Sequence, residues 1–142
     1  EYPAAIALLQ AAALTTAGIP PDLDGYLVAE ADHRLLALAG LERYGPHGFL
    51  RSVAVAAEAR GKGIGRRLVT RILEQAGRSG VRDVYLLTLS AESYFPRLGF
   101  ERIPRDAVPE PVRASAEFRG ACPETATVMH RSLAPPAEVA AS

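Results

Sequence analysis

A basic, glycine-rich stretch from position 60 to 67 has the residue types that bind phosphate. Glycine alternates with other residues through it, and four cations, Arg60, Lys62, Arg66 and Arg67, lie within its eight positions. Alternating glycines let the backbone turn several N–H groups toward one centre, and a helix that begins there adds unpaired amides and the positive end of its dipole. This pattern predicts a phosphate site. A glycine-rich turn with a solvated basic face is the alternative.

Two better-known phosphate loops do not fit these residues. A P-loop requires Ser or Thr directly after Gly-Lys, and here Lys62, the only lysine, is followed by Gly63. A dinucleotide-binding fingerprint would place glycine at position 66, where Arg66 stands. Both nucleotide folds are therefore disfavoured.

The metal-ligating and nucleophilic residue types are sparse. The histidines, His33, His47 and His130, fall in a predicted turn, a loop and the last strand, without ligand spacing, so we expect no metal site. Cys122 is the only cysteine, which excludes an internal disulfide and fits a reducing compartment. We interpret it as a small buried hydrophobe, with a nucleophile or an arsenic ligand as alternatives.

The elements before the loop are predicted from hydrophobic periodicity. A helix from Pro3 to Ala17 ends before Gly18 and a Pro-Pro pair. Three apolar runs joined by polar or Gly-Pro turns then predict an antiparallel meander: Tyr26–Ala31, Leu35–Leu41 and Phe49–Ala56.

After the loop, a helical pattern from Gly63 to Gly80 leads into a buried strand, Val81–Leu89. A strand, loop, helix and strand in succession predict a parallel crossover. The remaining predictions are two short helices and two strands, in the order Ala91–Leu98, Phe100–Ile103, Pro109–Ser115 and Thr125–Ser132. Residues 1–132 form one predicted domain, and 133–142 a disordered tail.

Composition excludes several classes of protein. Apolar residues make up 49% of the chain and charged residues 23%, both close to globular averages. Sixteen basic residues balance sixteen acidic ones, so we expect neither nucleic acid nor a membrane as a partner. No apolar run reaches the roughly 18 residues of a membrane span, and we expect a cytoplasmic protein. A homodimer is left open.

Two segments together resemble the GNAT N-acetyltransferase superfamily. Its cofactor motif, Arg or Gln, two residues, Gly, one residue, then Gly or Ala, stands here from Arg60 to Gly65 after the strand residues 53–55. A second family segment ending in Leu-Gly-Phe stands as 94–100. The resemblance implies an α+β fold, with a mixed central sheet, an antiparallel N-terminal meander, a parallel splayed strand pair and helices on both faces.

The resemblance also implies acetyl-CoA as the cofactor and transfer of acetyl to an amine. It assigns cofactor binding to the splayed strand, the loop and one aromatic residue: Val53, Ala54, Val55, Arg60, Gly61, Lys62, Gly63, Ile64, Gly65, Arg66 and Phe95. Pantetheine is expected to pair with the splayed strand as an added strand would.

A narrower likeness concerns the segments 40–44, 50–55 and 108–119, which resemble GNAT proteins associated with arsenic-resistance gene clusters. Residues 87–89 and the surroundings of Cys122 are similar to the acetyltransferase domain of bacterial N-acetylglutamate synthases. Both relations point to a small, amino-acid-like amine acceptor, linked to resistance against arsenic or toxic amino-acid analogues. The arginines suited to its carboxylate are Arg43, Arg51 and Arg113, and Thr88 and Ser90 complete the predicted substrate site.

The catalytic residues follow the family less closely. Glu42, on the strand beside the cofactor strand, is the candidate base, directly or through water; a solvated charge partner of Arg43 is the alternative. The family's acid is a tyrosine four residues before the glycine of Leu-Gly-Phe, where this chain has Phe95. Tyr94 is the substitute candidate, if the helix is irregular there. The missing tyrosine motivates an alternative function, a catalytically silent acyl-CoA sensor; acetylation of a protein amine is a third.

Overall fold

The computed structural model describes residues 2–89, 94–115, 118–119 and 126–133. The helices are α1 (Tyr2–Ala11), α2 (Ile64–Arg78) and the single turn α3 (Glu110–Arg113). The strands are β1 (Tyr26–Ala31), β2 (Arg34–Tyr44), β3 (His47–Val55), β4 (Asp83–Thr88), β5 (Glu101–Arg102) and β6 (Thr127–Ser132). Short 3₁₀ turns occupy Ala57–Ala59, Phe95–Leu98 and Arg105–Ala107.

These strands form one mixed sheet in the order β1-β2-β3-β4-β6-β5. The predicted antiparallel meander is confirmed, and its first turn has left-handed backbone at both Asp32 (φ 53°) and His33 (φ 62°), as tight hairpins require. The predicted parallel crossover is also confirmed, because β3 and β4 run parallel and α2 connects them.

Helices cover both faces of the sheet, as expected. The buried side of α2, with Val69, Ile72 and Leu73, packs on residues such as Leu50 and Leu86. On the opposite face, α1 packs on β2 and β3 at one end and α3 packs at the other. The sheet therefore divides the apolar core into one layer on each of its faces.

The first helix is shorter than predicted. It ends at Ala11, because Ala13 has left-handed backbone (φ 59°) and the Leu14 N–H bonds to the Leu9 carbonyl at 2.9 Å, which closes the helix. The prediction that the helix extends to Ala17 was wrong. The apolar periodicity continues past the end because residues 12–15 line a cavity, described below, although Ala12 also packs on the core.

The predicted helix over 91–98 is observed only as the 3₁₀ turn Phe95–Leu98, since residues 90–93 lie outside the described part. Pro96 has no N–H to donate, and Gly99 (φ 91°) ends the turn. The predicted tail spans 133–142. Its first residue, Leu133, is described: its N–H donates to the Arg82 carbonyl at 2.8 Å and its side chain packs on the core, whereas 134–142 lie beyond the described residues. Within the described ranges, no helix is long and apolar enough to cross a membrane.

Polar side chains fasten the end of the sheet where β3 and β4 pair. The Asp83 carboxylate accepts hydrogen bonds from His47 at 2.7 Å, Tyr85 at 3.0 Å and His130 at 3.2 Å, so it joins β3, β4 and β6. Burial opposes ionisation of Asp83, but these hydrogen bonds outweigh it and lower its pKa. Burial and the same carboxylate raise the pKa of Tyr85 to about 12.

Candidate active site

A cleft opens where β3 and β4 part. Their parallel pairing covers only three residue pairs and ends at Phe49↔Tyr85, although β3 continues to Val55 and β4 to Thr88. The space between the strands is a cavity of about 810 Å³, within the usual range for ligand sites. Its walls are the two diverging strands, the start of α2, residues 12–15 and residues 94–98.

A β-bulge in β3 accompanies the divergence. Leu38 pairs with Ala54 and Gly40 with Arg51, so Ser52 and Val53 together face one residue of β2. Ser52 has left-handed backbone (φ 62°), and such a bulge bends the strand and increases its twist. The bulge therefore lies at the place where β3 turns away from β4. Spacing did not single out Ser52, since a non-glycine residue with positive φ leaves no clear pattern in a sequence.

The glycine-rich loop connects this cleft to α2. Gly61 (φ 80°) and Gly63 (φ 77°) are left-handed, and a Cβ placed on either would meet no atom within 4 Å, so both face open space. Gly63 is the N-cap of α2 and has no side chain to accept from the amides of the first turn. These amides and the helix dipole form a site suited to an anion.

The cations of the loop have different positions. Arg60 lines the cleft, but its Nε donates to the Val55 carbonyl at 3.1 Å, so part of its capacity is used by the end of β3. Arg66 is exposed on the first turn of α2 and also lines the cleft, whereas Lys62 is exposed on the loop. Arg97 is a further lining cation, and no motif in the sequence singles it out.

The strand residues assigned to the cofactor lie where β3 has no β4 partner within the described residues. Val53, Ala54 and Val55 all line the cleft, as do Ile64 and Gly65 from the start of α2. A Cβ on Gly65 would come within 3.0 Å of Val55 Cγ2, so this glycine permits the close approach of α2 to β3.

Arg51 belongs to a buried polar network beside the bulge. Its side chain is inaccessible to solvent, its Nη1 donates to Glu42 Oε2 at 2.8 Å and its Nε to Ser52 Oγ at 3.1 Å. The Tyr44 hydroxyl donates to Glu42 Oε1 at 2.6 Å. Burial is the larger cause and this hydrogen bond the next of a pKa of Tyr44 well above its ordinary value. Glu42 thus has an ion pair on one oxygen and a hydrogen bond on the other.

The predicted substrate residues do not all meet at the cleft. Arg51 and Thr88 line it. Arg43 lies near the β2–β3 turn, where it donates to the Gly45 carbonyl and to Ser79 Oγ. Arg113 is exposed on α3, and Ser90 lies outside the described residues.

Tyr94 and Phe95 both line the cleft and pack on the same core cluster, but Phe95 is the more deeply buried. Phe95 is 7% exposed, and its ring packs against Phe100 with centroids 5.9 Å apart, inside the core. The Tyr94 hydroxyl instead lies beside Gly65 on α2, since a Cβ on that glycine would be 3.5 Å from it. Residues 95–98 are 3₁₀ rather than α-helical, which meets the condition under which Tyr94 could replace the family tyrosine.

A sequence comparison decides which family this geometry represents. The profile described as the Acetyltransferase (GNAT) family matches residues 5–100, which contain the loop, both diverging strands and Phe95. The chain belongs to the GNAT acetyltransferase family. Its six-stranded sheet, with one parallel pair, has the GNAT fold that was expected.

Relatives agree with the assignment to the GNAT family. An uncharacterised N-acetyltransferase from Chlorobaculum tepidum, CT2212, is 37% identical over 82 residues, which are 56% of this chain and 52% of that protein. The chain thus matches about half the length of this curated relative.

Two solved structures share the GNAT fold with this chain. N-acetylglutamate synthase from Neisseria gonorrhoeae, in complex with coenzyme A and N-acetyl-glutamate, has a TM-score of 0.79 at 22% identity. The match covers 93% of this chain and 32% of the synthase. Rv2747 from Mycobacterium tuberculosis, in complex with CoA and NLQ, has a TM-score of 0.77 at 23% identity, with 94% of each chain covered.

Over residues 2–89, 94–115, 118–119 and 126–133, no group of three or more His, Cys, Asp or Glu side chains is arranged to hold a metal ion. Cys122 lies outside these ranges, so its predicted environment is untested.

Proposed function

We propose that the protein is an acetyl-CoA-dependent N-acetyltransferase whose cofactor binds in the cleft between β3 and β4. The observation that carries this proposal is the open start of α2 at the mouth of a gap between diverging strands. The amides around Gly61 and Gly63, with Arg60 and Arg66, would hold the phosphates. The part of β3 beyond its described pairing with β4 would orient pantetheine by main-chain hydrogen bonds.

Bound acetyl-CoA would supply acetyl as a thioester that a neutral amine can attack. The apolar walls of the cleft, which include Leu50, Leu86 and Leu98, would exclude water from the reacting groups. Positioning the two reactants together is a large part of the acceleration that such a site can provide.

The proposed acceptor is a small amine that carries a carboxylate, as an amino acid or a toxic amino-acid analogue does. Arg51 supports it, because it is the predicted carboxylate-binding arginine that lines the cleft, where its bonds to Glu42 and Ser52 fix the guanidinium in place. The structure of the Neisseria gonorrhoeae relative in complex with N-acetyl-glutamate is consistent with this class. The likeness to GNAT proteins of arsenic-resistance clusters adds resistance to such compounds as the proposed biological role.

Glu42 is proposed to position Arg51 rather than to remove the amine proton. Its oxygens are already bonded to Arg51 and Tyr44. Replacing it, Glu42→Gln, is expected to raise KM for the acceptor while kcat changes by less than about threefold, because binding is disturbed and chemistry is not. A large fall in kcat with loss of the acidic limb of the pH–rate profile would restore the role of base.

The acceptor is tested by measuring thiol release from acetyl-CoA over a panel of amino acids and of the corresponding amines without a carboxylate. Arg51→Lys keeps the charge but loses the fork, so kcat/KM should fall at least about tenfold for amino acids and little for the amines. Arg113→Lys, on exposed α3, is the matched control. Equal losses on both acceptor series would contradict a carboxylate contact.

A sensor without activity is the second candidate, because Phe95 is in the core where the family tyrosine would stand. Calorimetry with acetyl-CoA beside the same turnover panel separates the two functions. Tight binding without turnover on any amine favours the sensor, and turnover rejects it.

A further inference from the structure

The Tyr94 hydroxyl lies at the first turn of α2. In a helix the Cα–Cβ bond tilts toward the N-terminus, so the Cβ direction of Gly65 points to the beginning of α2. The hydroxyl is 3.5 Å from that Cβ position, and Val55 Cγ2 is 3.0 Å from it. The phenol is therefore next to the uncapped amides of the helix and next to the end of β3.

Tyr94 and Phe95 both line the cleft, and the local backbone gives their side chains different directions. A 3₁₀ turn has three residues per turn, so adjacent side chains diverge by about 120°. Phe95 enters the core against Phe100, and the Tyr94 ring meets it edge-on with centroids 5.1 Å apart. This contact holds the Tyr94 ring in place while its hydroxyl remains on the cleft wall.

The electrostatics of this position suit a hydrogen-bond donor. Burial raises the pKa of Tyr94, against a smaller opposing effect of Arg66, so the phenol remains protonated at neutral pH. A phenol with a pKa above its ordinary value of about 10 would transfer a proton uphill to a thiolate whose conjugate acid has a pKa of about 8.5. A hydrogen bond from the phenol to a phosphate oxygen leaves the proton on the phenol and requires no proton transfer.

We propose that Tyr94 is a cofactor-binding residue that donates its hydroxyl to a phosphate oxygen at the start of α2, and that it is not the general acid. This assignment rests on the proposed function, because it requires coenzyme A in the cleft. It places the phenol with Arg66 and the Gly63 loop as one anion site. Thiolate departure then requires no proton from this residue.

The test is calorimetric binding of coenzyme A and of desulfo-coenzyme A, which lacks the sulfur, to wild type and Tyr94→Phe. With either ligand, Tyr94→Phe loses a hydrogen bond to a charged phosphate. The dissociation constants of both ligands should therefore be at least about tenfold higher for the variant than for wild type. At saturating acetyl-CoA, kcat should fall by less than about threefold, far less than the affinity for coenzyme A does. Tyr85→Phe, which loses a hydroxyl bonded to Asp83 away from the cleft, is the control and should bind both ligands as wild type does.

Two results would overturn the assignment. Unchanged desulfo-coenzyme A binding by Tyr94→Phe would show that no phosphate contact was lost. A fall in kcat at saturation, with loss of the basic limb of the pH–rate profile, would show an acid. Failure of wild type to bind coenzyme A would instead reject the proposed function itself, and Tyr94 with it, so the two failures are distinguishable.

Discussion

Replacement of Gly63 by alanine separates the conformational role of this glycine from its role in binding. Gly63 has φ 77°, and an added Cβ meets no atom within 4 Å, so the folded protein pays only for left-handed backbone, about 1–2 kcal/mol. For a domain of this size, 1 kcal/mol lowers Tm by roughly 3–5 °C. The same Cβ would enter the space in front of the α2 amides.

Gly45 provides a matched control. It has φ 65°, its added Cβ also meets nothing within 4 Å, and it lies in the β2–β3 turn. Gly45→Ala and Gly63→Ala should therefore lose similar stability. Because one hydrogen bond to a charged group contributes about 1.5–3 kcal/mol, only Gly63→Ala should weaken coenzyme A binding, by about tenfold to a hundredfold.

The assay is thermal unfolding for stability and calorimetry for coenzyme A affinity, on both variants and wild type. If Gly63→Ala binds coenzyme A as tightly as Gly45→Ala does, the glycine loop is a structural turn and the phosphate assignment fails. If Gly45→Ala loses the same affinity, the effect is a general loss of folded protein rather than a local one.

Two further predictions concern stability. Asp83→Asn should lower the free energy of unfolding by about 1–2 kcal/mol at pH 6. The pKa of Asp83 is lowered in the folded protein, so the ionised carboxylate stabilises the fold at pH values above its unfolded pKa of about 4. The difference in stability between wild type and variant should therefore shrink as the pH falls below about 4, as measured by denaturant melts at several pH values. An unchanged difference at pH 3 would contradict this origin. Gly40→Ala should lower Tm, because the added Cβ would lie 2.3 Å from the Tyr26 ring. Gly77→Ala should raise Tm, because the added Cβ meets no atom within 4 Å and alanine favours the helix α2. Equal shifts of Tm in the two variants would contradict the clash at Gly40.

Local patterns in the sequence were sufficient for most of the fold. The meander, the parallel crossover and α2 each depend on short-range periodicity and on turn residues, so they were predicted with bounds within a few residues. Helix α1 was predicted too long because periodicity records only that a side is apolar. It does not distinguish a core from the wall of a cleft, which is where Leu14 lies.

The roles of individual polar residues required the tertiary structure. Arg43, Arg51 and Arg113 are equivalent candidates by residue type, yet only the strand register places Arg51 beside the cleft and bonds Glu42 to it. In the same way, adjacent aromatics at 94 and 95 cannot be assigned until the backbone between them is known.

The sequence by itself determined the GNAT family, because the glycine and cation spacing of one loop occurs together with a Leu-Gly-Phe segment further along the chain. The tertiary structure decided what surrounds that loop. The width of the β3–β4 gap follows from a three-pair junction and a bulge at Ser52, and the place of Tyr94 follows from a 3₁₀ turn packed on the core. Such features arise from contacts between residues far apart in the chain. The free energy of such a contact depends on both partners, so the sequence of one segment does not reveal it.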